Sequence, residues 1–172
     1  MLGIIRYWVA ICLLRANPQD LPASGVVLVL SLSCYALISL LVSLGSYGPG
    51  DAVQLVLLDL GLLSVFVLAL LYLQGKAVRI YQTLSALAGA GCLLGALALP
   101  LVWFLQPGQS SEQVPRVLSL IWLFLLIWNL LVMAHIMRHA LSTSLFVGLG
   151  VSLLYALLSM QIIVALFPQQ VV

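Results

Sequence analysis

Charge is scarce in this chain: its 172 residues include only 6 Lys and Arg and 4 Asp and Glu, so that 6% are charged. Soluble domains carry about a quarter. That shortage excludes water as the main solvent. The net charge of +2 is too small for a nucleic-acid-binding face, and no nucleic-acid partner is expected. Cysteine is also sparse. Cys12, Cys34 and Cys92 form no C-x-x-C pair, which removes a redox dithiol and a cysteine zinc site. H-E-x-x-H, G-x-S-x-G and phosphate-cradling glycine loops are missing, as is any close pair of carboxylates within the apolar runs. Serine is plentiful but has no basic partner at depth, so the expectation is a non-catalytic protein without metal or cofactor.

What the chain has instead is hydrocarbon. Hydrophobic residues make up 65% of it, and the mean hydropathy is +1.28. Five apolar runs, 25–44, 52–73, 80–105, 117–137 and 145–167, are separated by turn-forming or charged stretches such as GSYGPGD, QGK, PGQSSEQVPR and RHALSTS. Each is about 20 residues or longer, which as helix covers about 30 Å, the thickness of a bilayer core. Barrel strands would be shorter and alternating. The sequence therefore predicts an all-α polytopic membrane protein with five transmembrane helices, membrane lipid being its first partner, and a short tail at 168–172.

Residues 1–24 precede the first run. In MLGIIRYWVAICLLR the apolar core VAICLL is 6 residues long, too short to span, and no small-x-small cleavage site follows. It reads as a short amphipathic helix in the membrane interface, with Tyr7 and Trp8 at headgroup level and Arg6 and Arg15 towards anionic lipid. A polar linker, ANPQDLPAS, joins it to the first span.

Basic residues set orientation. Arg6, Arg15, Lys76, Arg79 and Arg138 fall on one side of a five-span chain and Arg116 alone on the other. The N-terminus is expected in the cytoplasm and the C-terminus outside, in a bacterial inner membrane.

Three polar residues lie at depth: Asp59, Asn129 and Gln161. Asp59 is about 12 Å below the level of Asp51, where a bare carboxylate costs on the order of 3 kcal/mol, so it should face the bundle. Gln161, about 9 Å below the same surface, would meet it if their helices are neighbours, while Asn129 lies deeper, near Ser33 and Cys34. Burial disfavours the charged carboxylate, which makes Asp59 either a proton or cation site or a protonated acid that fixes helix register. Asn129 and Gln161 read as hydrogen-bonding glue between helices or as substrate contacts.

His135 and His139, spaced i, i+4 with Arg138 beside them, share a face at the cytoplasmic end of the fourth run. Two ligands without a third make no metal site. They read as an interfacial basic cluster suited to anionic headgroups. Gly91 and Gly95 form G-x-x-x-G in a surface extended by Ala88, Gly89 and Ala90, a seam for close helix approach within the chain or between copies. Trp103, Trp122, Tyr47, Tyr72 and Tyr81 fit an aromatic belt, and Pro100 should bend the third span near its outer end.

An amphipathic N-terminal segment, a polar stretch with Asp20, Leu21 and Pro22, and five tightly connected spans resemble the Yip (Ypt-interacting protein) membrane family and its small bacterial relatives. The glycine and tyrosine of the eukaryotic motif are absent between Leu21 and Pro22, as is a long cytosolic domain. The resemblance implies a non-catalytic integral membrane protein that organises proteins or lipids and binds a membrane-protein partner. The alternative is a small transporter or transporter subunit using Asp59 as its intramembrane proton or cation site. Inverted repeats, the mark of many transporters, are not evident.

Overall fold

A computed structural model describes residues 2–104 and 116–167. Among these are six α-helices and no strand: α1 (Leu2–Cys12), α2 (Gly25–Leu44), α3 (Pro49–Leu73), α4 (Ile80–Phe104), α5 (Arg116–Leu141) and α6 (Leu145–Leu166). Five of them are long and apolar enough to cross a membrane, and α1 is the short apolar helix before them. The protein is thus an integral membrane protein of five apolar helices. The expected tail at 168–172 and nearly all of the PGQSSEQVPR loop lie outside the described residues.

Helix boundaries follow local chemistry. Ser24 and Ser144 precede α2 and α6, and the Ser144 hydroxyl accepts from the Val147 amide at 3.4 Å. Pro49 opens α3, three residues before the expected start, because proline fits a first helical turn whose N–H has no partner. α5 runs to Leu141 instead of stopping at Met137, so much of the expected RHALSTS loop is helical. α4 continues through Pro100 to Phe104.

The last carbonyls of α5 are capped by side chains from elsewhere. Arg79 Nη1 donates to the carbonyls of His139 (3.2 Å) and Ala140 (3.1 Å) and to Ser142 Oγ (2.7 Å). Lys76 Nζ donates to the Leu141 carbonyl, and Gln19 Nε2 to that of His139 at 2.9 Å. Cations suit a helix C-terminus, where unpaired carbonyls concentrate negative charge. These bonds put the 17–22 linker, the 74–79 connection and the end of α5 together, at what is here called the basic end.

The core lies at that end. Trp8, Ile11 and Leu21 from the N-terminal segment are buried with Leu84 and Leu87 of α4 and with Val132, Ile136 and Met137 of α5. Trp8, expected at headgroup level, is only 4% exposed. The reason is Gly89: a Cβ there would collide with the Trp8 indole, so glycine leaves the seat that the ring fills. Tyr7 on the next face is exposed, as are Arg6 and Arg15. The short helix is therefore docked on the bundle by one face and open on the other.

The Gly91–Gly95 seam is used within the chain. A methyl at Gly91 would come to 2.7 Å from the Tyr35 ring, and one at Gly95 to 2.8 Å from Ile38 Cγ2, both in α2. Gly148 allows the same close approach of α6 to α5 at Ala134 and Arg138. Small residues let backbones draw together where lipid supplies no hydrophobic drive. Outward, Val26, Leu57, Val65, Leu120 and Phe146 are exposed, as a lipid-facing surface requires. The buried hydroxyls of Ser31 and Ser152 return to the carbonyls of Val27 and Gly148 in their own helices.

Candidate functional site

Between the helices lies a cavity of about 390 Å³ that extends from the basic half of the bundle towards the opposite end, and all five apolar spans line it. Its walls run from Leu87 and Ile136 to Tyr47, just past the end of α2, and Trp122, in the second turn of α5. The volume falls in the usual range for small-molecule sites, about 300–1,000 Å³. Leucine, isoleucine, valine, alanine and methionine make up most of the lining; Ser39, Ser43, Asp59 and Asn129 are the polar groups, and Tyr35, Tyr47, Tyr155 and Trp122 the amphipathic ones.

Asp59 is the chemical centre of this space. The Tyr35 hydroxyl of α2 donates to Asp59 Oδ2 at 2.5 Å, and the Tyr155 hydroxyl of α6 donates to Oδ1 at 3.3 Å. Each carboxylate oxygen thus has one phenolic donor, from two different helices. The three side chains meet because their depths agree. Tyr35, Asp59 and Tyr155 lie about 14, 15 and 16 Å from the helix ends remote from the basic end, counting 1.5 Å per residue. Tyr155 is steadied by Phe66 of α3, their ring centroids 5.1 Å apart. Tyr35 is steadied by the space that Gly91 leaves for its ring.

Asp59 faces the bundle, as a carboxylate at this depth should. Its partner is not Gln161. Gln161 is exposed and does not line the cavity; Tyr155, earlier on α6, meets the carboxylate instead. Depth alone points to a residue six positions too far along α6, because it takes no account of which face of α6 each residue occupies. Asn129 does line the cavity, on the stripe of α5 that includes Trp122, Leu125, Leu126 and Val132. The aromatic belt expected at helix ends does not include these two tyrosines, which lie in mid-span. Their signal was position: a phenol hydroxyl in mid-span needs a hydrogen-bond partner, and only a few groups at that depth can provide one.

The histidine pair is part of the packing at the basic end. His135, expected at the interface, is 4% exposed, with Nε2 3.1 Å from the Ala16 carbonyl. His139 packs edge-on against it, ring centroids 4.7 Å apart, and takes a hydrogen bond from Arg138 Nε at 3.2 Å. The reason is the linker: residues 16–21 fold back over α4 and α5, where Trp128 Nε1 donates to the Cys12 carbonyl and Gln82 Nε2 to those of Gln19 and Leu21. Among the described residues no group of three His, Cys, Asp or Glu is placed to hold a metal. Cys12 is buried, its Sγ 3.9 Å from the Ala90 carbonyl, and burial pushes its thiol up to about 11.

Chemically, the cavity offers a carboxylate within hydrocarbon, two hydroxyls that can stay with it or turn to a ligand, and apolar walls. Among the described residues no lysine, arginine or histidine lines the cavity. A carboxyl in that setting can hold one positive charge, as a proton or as a cation. No protein-family model matches the chain, and no curated protein and no solved structure matches it.

Proposed function

We propose that this protein is a small transporter or transporter subunit in which Asp59 is the intramembrane proton or cation site. One observation carries the reading: the only carboxylate in mid-span lies on the wall of a cavity to which every span contributes. A carboxylate serving helix register alone needs partners but no adjoining space. Ionisable groups in membrane helices are costly and mark ion or substrate paths when they face such space. The basic end, with five of the six Lys and Arg residues, is taken as cytoplasmic, and the membrane as a bacterial inner membrane. The dense packing of Trp8, Ile11, Leu21 and Ile136 then closes the cytoplasmic side beneath the cavity.

Proteoliposomes loaded with a pH-sensitive dye test this. Under an imposed potential, the purified protein should move protons or exchange them for added cations, and Asp59→Asn should abolish this while inserting and expressing normally. Equal flux through wild type and Asp59→Asn would refute the reading.

A second reading, a protein that organises lipids or a membrane-protein partner in the manner of the Yip family, draws support from α1. Its outward face carries Ile5, Tyr7 and Val9 beside Arg6, an apolar and basic surface suited to an anionic membrane. In that case Asp59→Asn leaves activity intact, because the amide oxygen accepts from one tyrosine and the amide NH2 donates to the hydroxyl oxygen of the other.

A further inference from the structure

We infer that the cavity binds a lipophilic organic monocation, an ammonium or phosphonium whose charge meets Asp59 and whose apolar body lies against the helix walls. The inference rests on the reading of Asp59 as an exchange site and names what is exchanged.

The sign of the ligand follows from the lining. Among the described residues Asp59 is the single formal charge on the cavity wall, and an anion would meet it with no basic residue there to offset the repulsion. A small inorganic cation is disfavoured by the space. Such ions need several oxygens at about 2–2.5 Å in a tight cage, whereas here a volume of about 390 Å³ has mostly aliphatic walls. A cation with a hydrocarbon body fits both features. It places one charge at the carboxylate and buries the rest against groups such as Leu63, Leu94 and Val132.

The aromatics support the same class. Tyr35, Tyr47, Tyr155 and Trp122 all border the cavity, and aromatic faces attract quaternary ammonium groups through their quadrupole. The Tyr35 and Tyr155 hydroxyls are already committed as donors to the carboxylate, which orients it and leaves their rings as wall. Two phenols on the carboxylate and two further aromatic side chains along the wall form a site that a neutral ligand of equal shape would use only in part.

Exchange follows from charge balance. Cation and proton compete for the one carboxylate: where Asp59 carries a proton, the arriving cation displaces it to the medium, so that one positive charge replaces another. Among the described residues the titratable groups on the cavity wall are Tyr35 of α2, Tyr47 just past its end, Asp59 of α3 and Tyr155 of α6, and α4 and α5 contribute none. Competition between proton and cation is therefore centred on Asp59.

The test is equilibrium dialysis of radiolabelled tetraphenylphosphonium against the full chain in detergent, with matched detergent blanks and with tetraphenylborate as an isosteric anion. One saturable site per chain is expected, with affinity at least about tenfold lower in Asp59→Asn and weaker at pH 5 than at pH 8. Asp59→Glu should retain binding and tetraphenylborate should not compete. If Asp59→Asn fails to elute as a folded particle, the pH dependence of the wild type and binding by Asp59→Glu decide the matter. Absence of saturable binding, equal binding by Asp59→Asn, or equal affinity for tetraphenylborate overturns the inference. Dye-reported flux distinguishes the two claims: Asp59-dependent proton movement without phosphonium binding overturns the ligand class and leaves the transport reading, while Asp59-dependent binding without flux upholds the cation site and removes transport.

Discussion

The Tyr155 hydroxyl donates to Asp59 Oδ1 across 3.3 Å, joining α6 to α3 between residues 96 positions apart in the chain. Since α3 and α6 touch at few other places, this bond and the Phe66–Tyr155 ring contact are the main tie between them.

Removing donors should therefore be mild and removing the acceptor less so. Tyr155→Phe keeps the ring against Phe66 and loses one bond, worth about 0.6 kcal/mol on average in membrane proteins. Asp59→Leu leaves two phenols without their acceptor, at about 1–3 kcal/mol each if they find no other. Unfolding of the purified variants in mixed micelles should rank Asp59→Leu below Tyr155→Phe; the reverse order would contradict the hydrogen-bond geometry.

Glycine substitutions separate close approach from open surface. Gly91→Ala and Gly95→Ala push a methyl to 2.7 Å from the Tyr35 ring and 2.8 Å from Ile38, and overpacking of that kind costs about 1–3 kcal/mol. Gly61→Ala meets nothing within 4 Å and gains helix propensity, so its thermal midpoint should hold or rise. Light-scattering melts of the three variants, run in one detergent, give the comparison.

The Cys12 thiol, buried and raised to about 11, should react slowly with a maleimide near neutral pH. Only the thiolate attacks, so the rate should climb about tenfold per pH unit from 7 to 10, instead of levelling off near 9 as for an exposed thiol. Gly89→Val, which evicts the Trp8 indole from its seat, should expose Cys12 and bring the levelling point down. Labelling kinetics on a variant with Cys34 and Cys92 replaced by serine report on Cys12 alone.

Capping of α5 gives a fourth expectation. Arg79→Ala removes donors to the His139 and Ala140 carbonyls and to Ser142, so the last turn of α5 should fray, with a stability loss of about 1–3 kcal/mol. Hydrogen exchange at 138–142 should accelerate, while exchange around Leu63 in mid-bundle stays as it was. Cysteines introduced at Lys76 and His139 should label from the same side of the membrane, since side chains on the two segments are bonded to one helix end. Labelling from opposite sides would break the five-helix arrangement.

Much of this arrangement was legible in one dimension. The 25–44 run coincides with α2, and the others depart by a few residues where proline opens a helix or side-chain caps prolong one. The inward position of Asp59 was legible too, because a carboxylate at that depth has nowhere else to go. Its partners were not. Tyr155 and Gln161 both lie on α6, and a span apolar on all sides has no polar face to tell which of the two turns inward. The same ambiguity hid Trp8 and His135. Each is amphipathic enough for the interface, and each is buried because Gly89 makes room for one and the Ala16 carbonyl engages the other.

The sequence by itself determined the solvent, the number of crossings and the grouping of basic residues, because the bilayer's thickness and its aversion to charge act on each segment independently of its neighbours. Tertiary structure decided which faces meet, that the basic end is packed shut by the N-terminal segment, and that Asp59 shares a cavity with Tyr35 and Tyr155. Helix rotation and partner choice in lipid depend on close fits between small surfaces and single hydrogen bonds, and those exist only once the helices stand side by side.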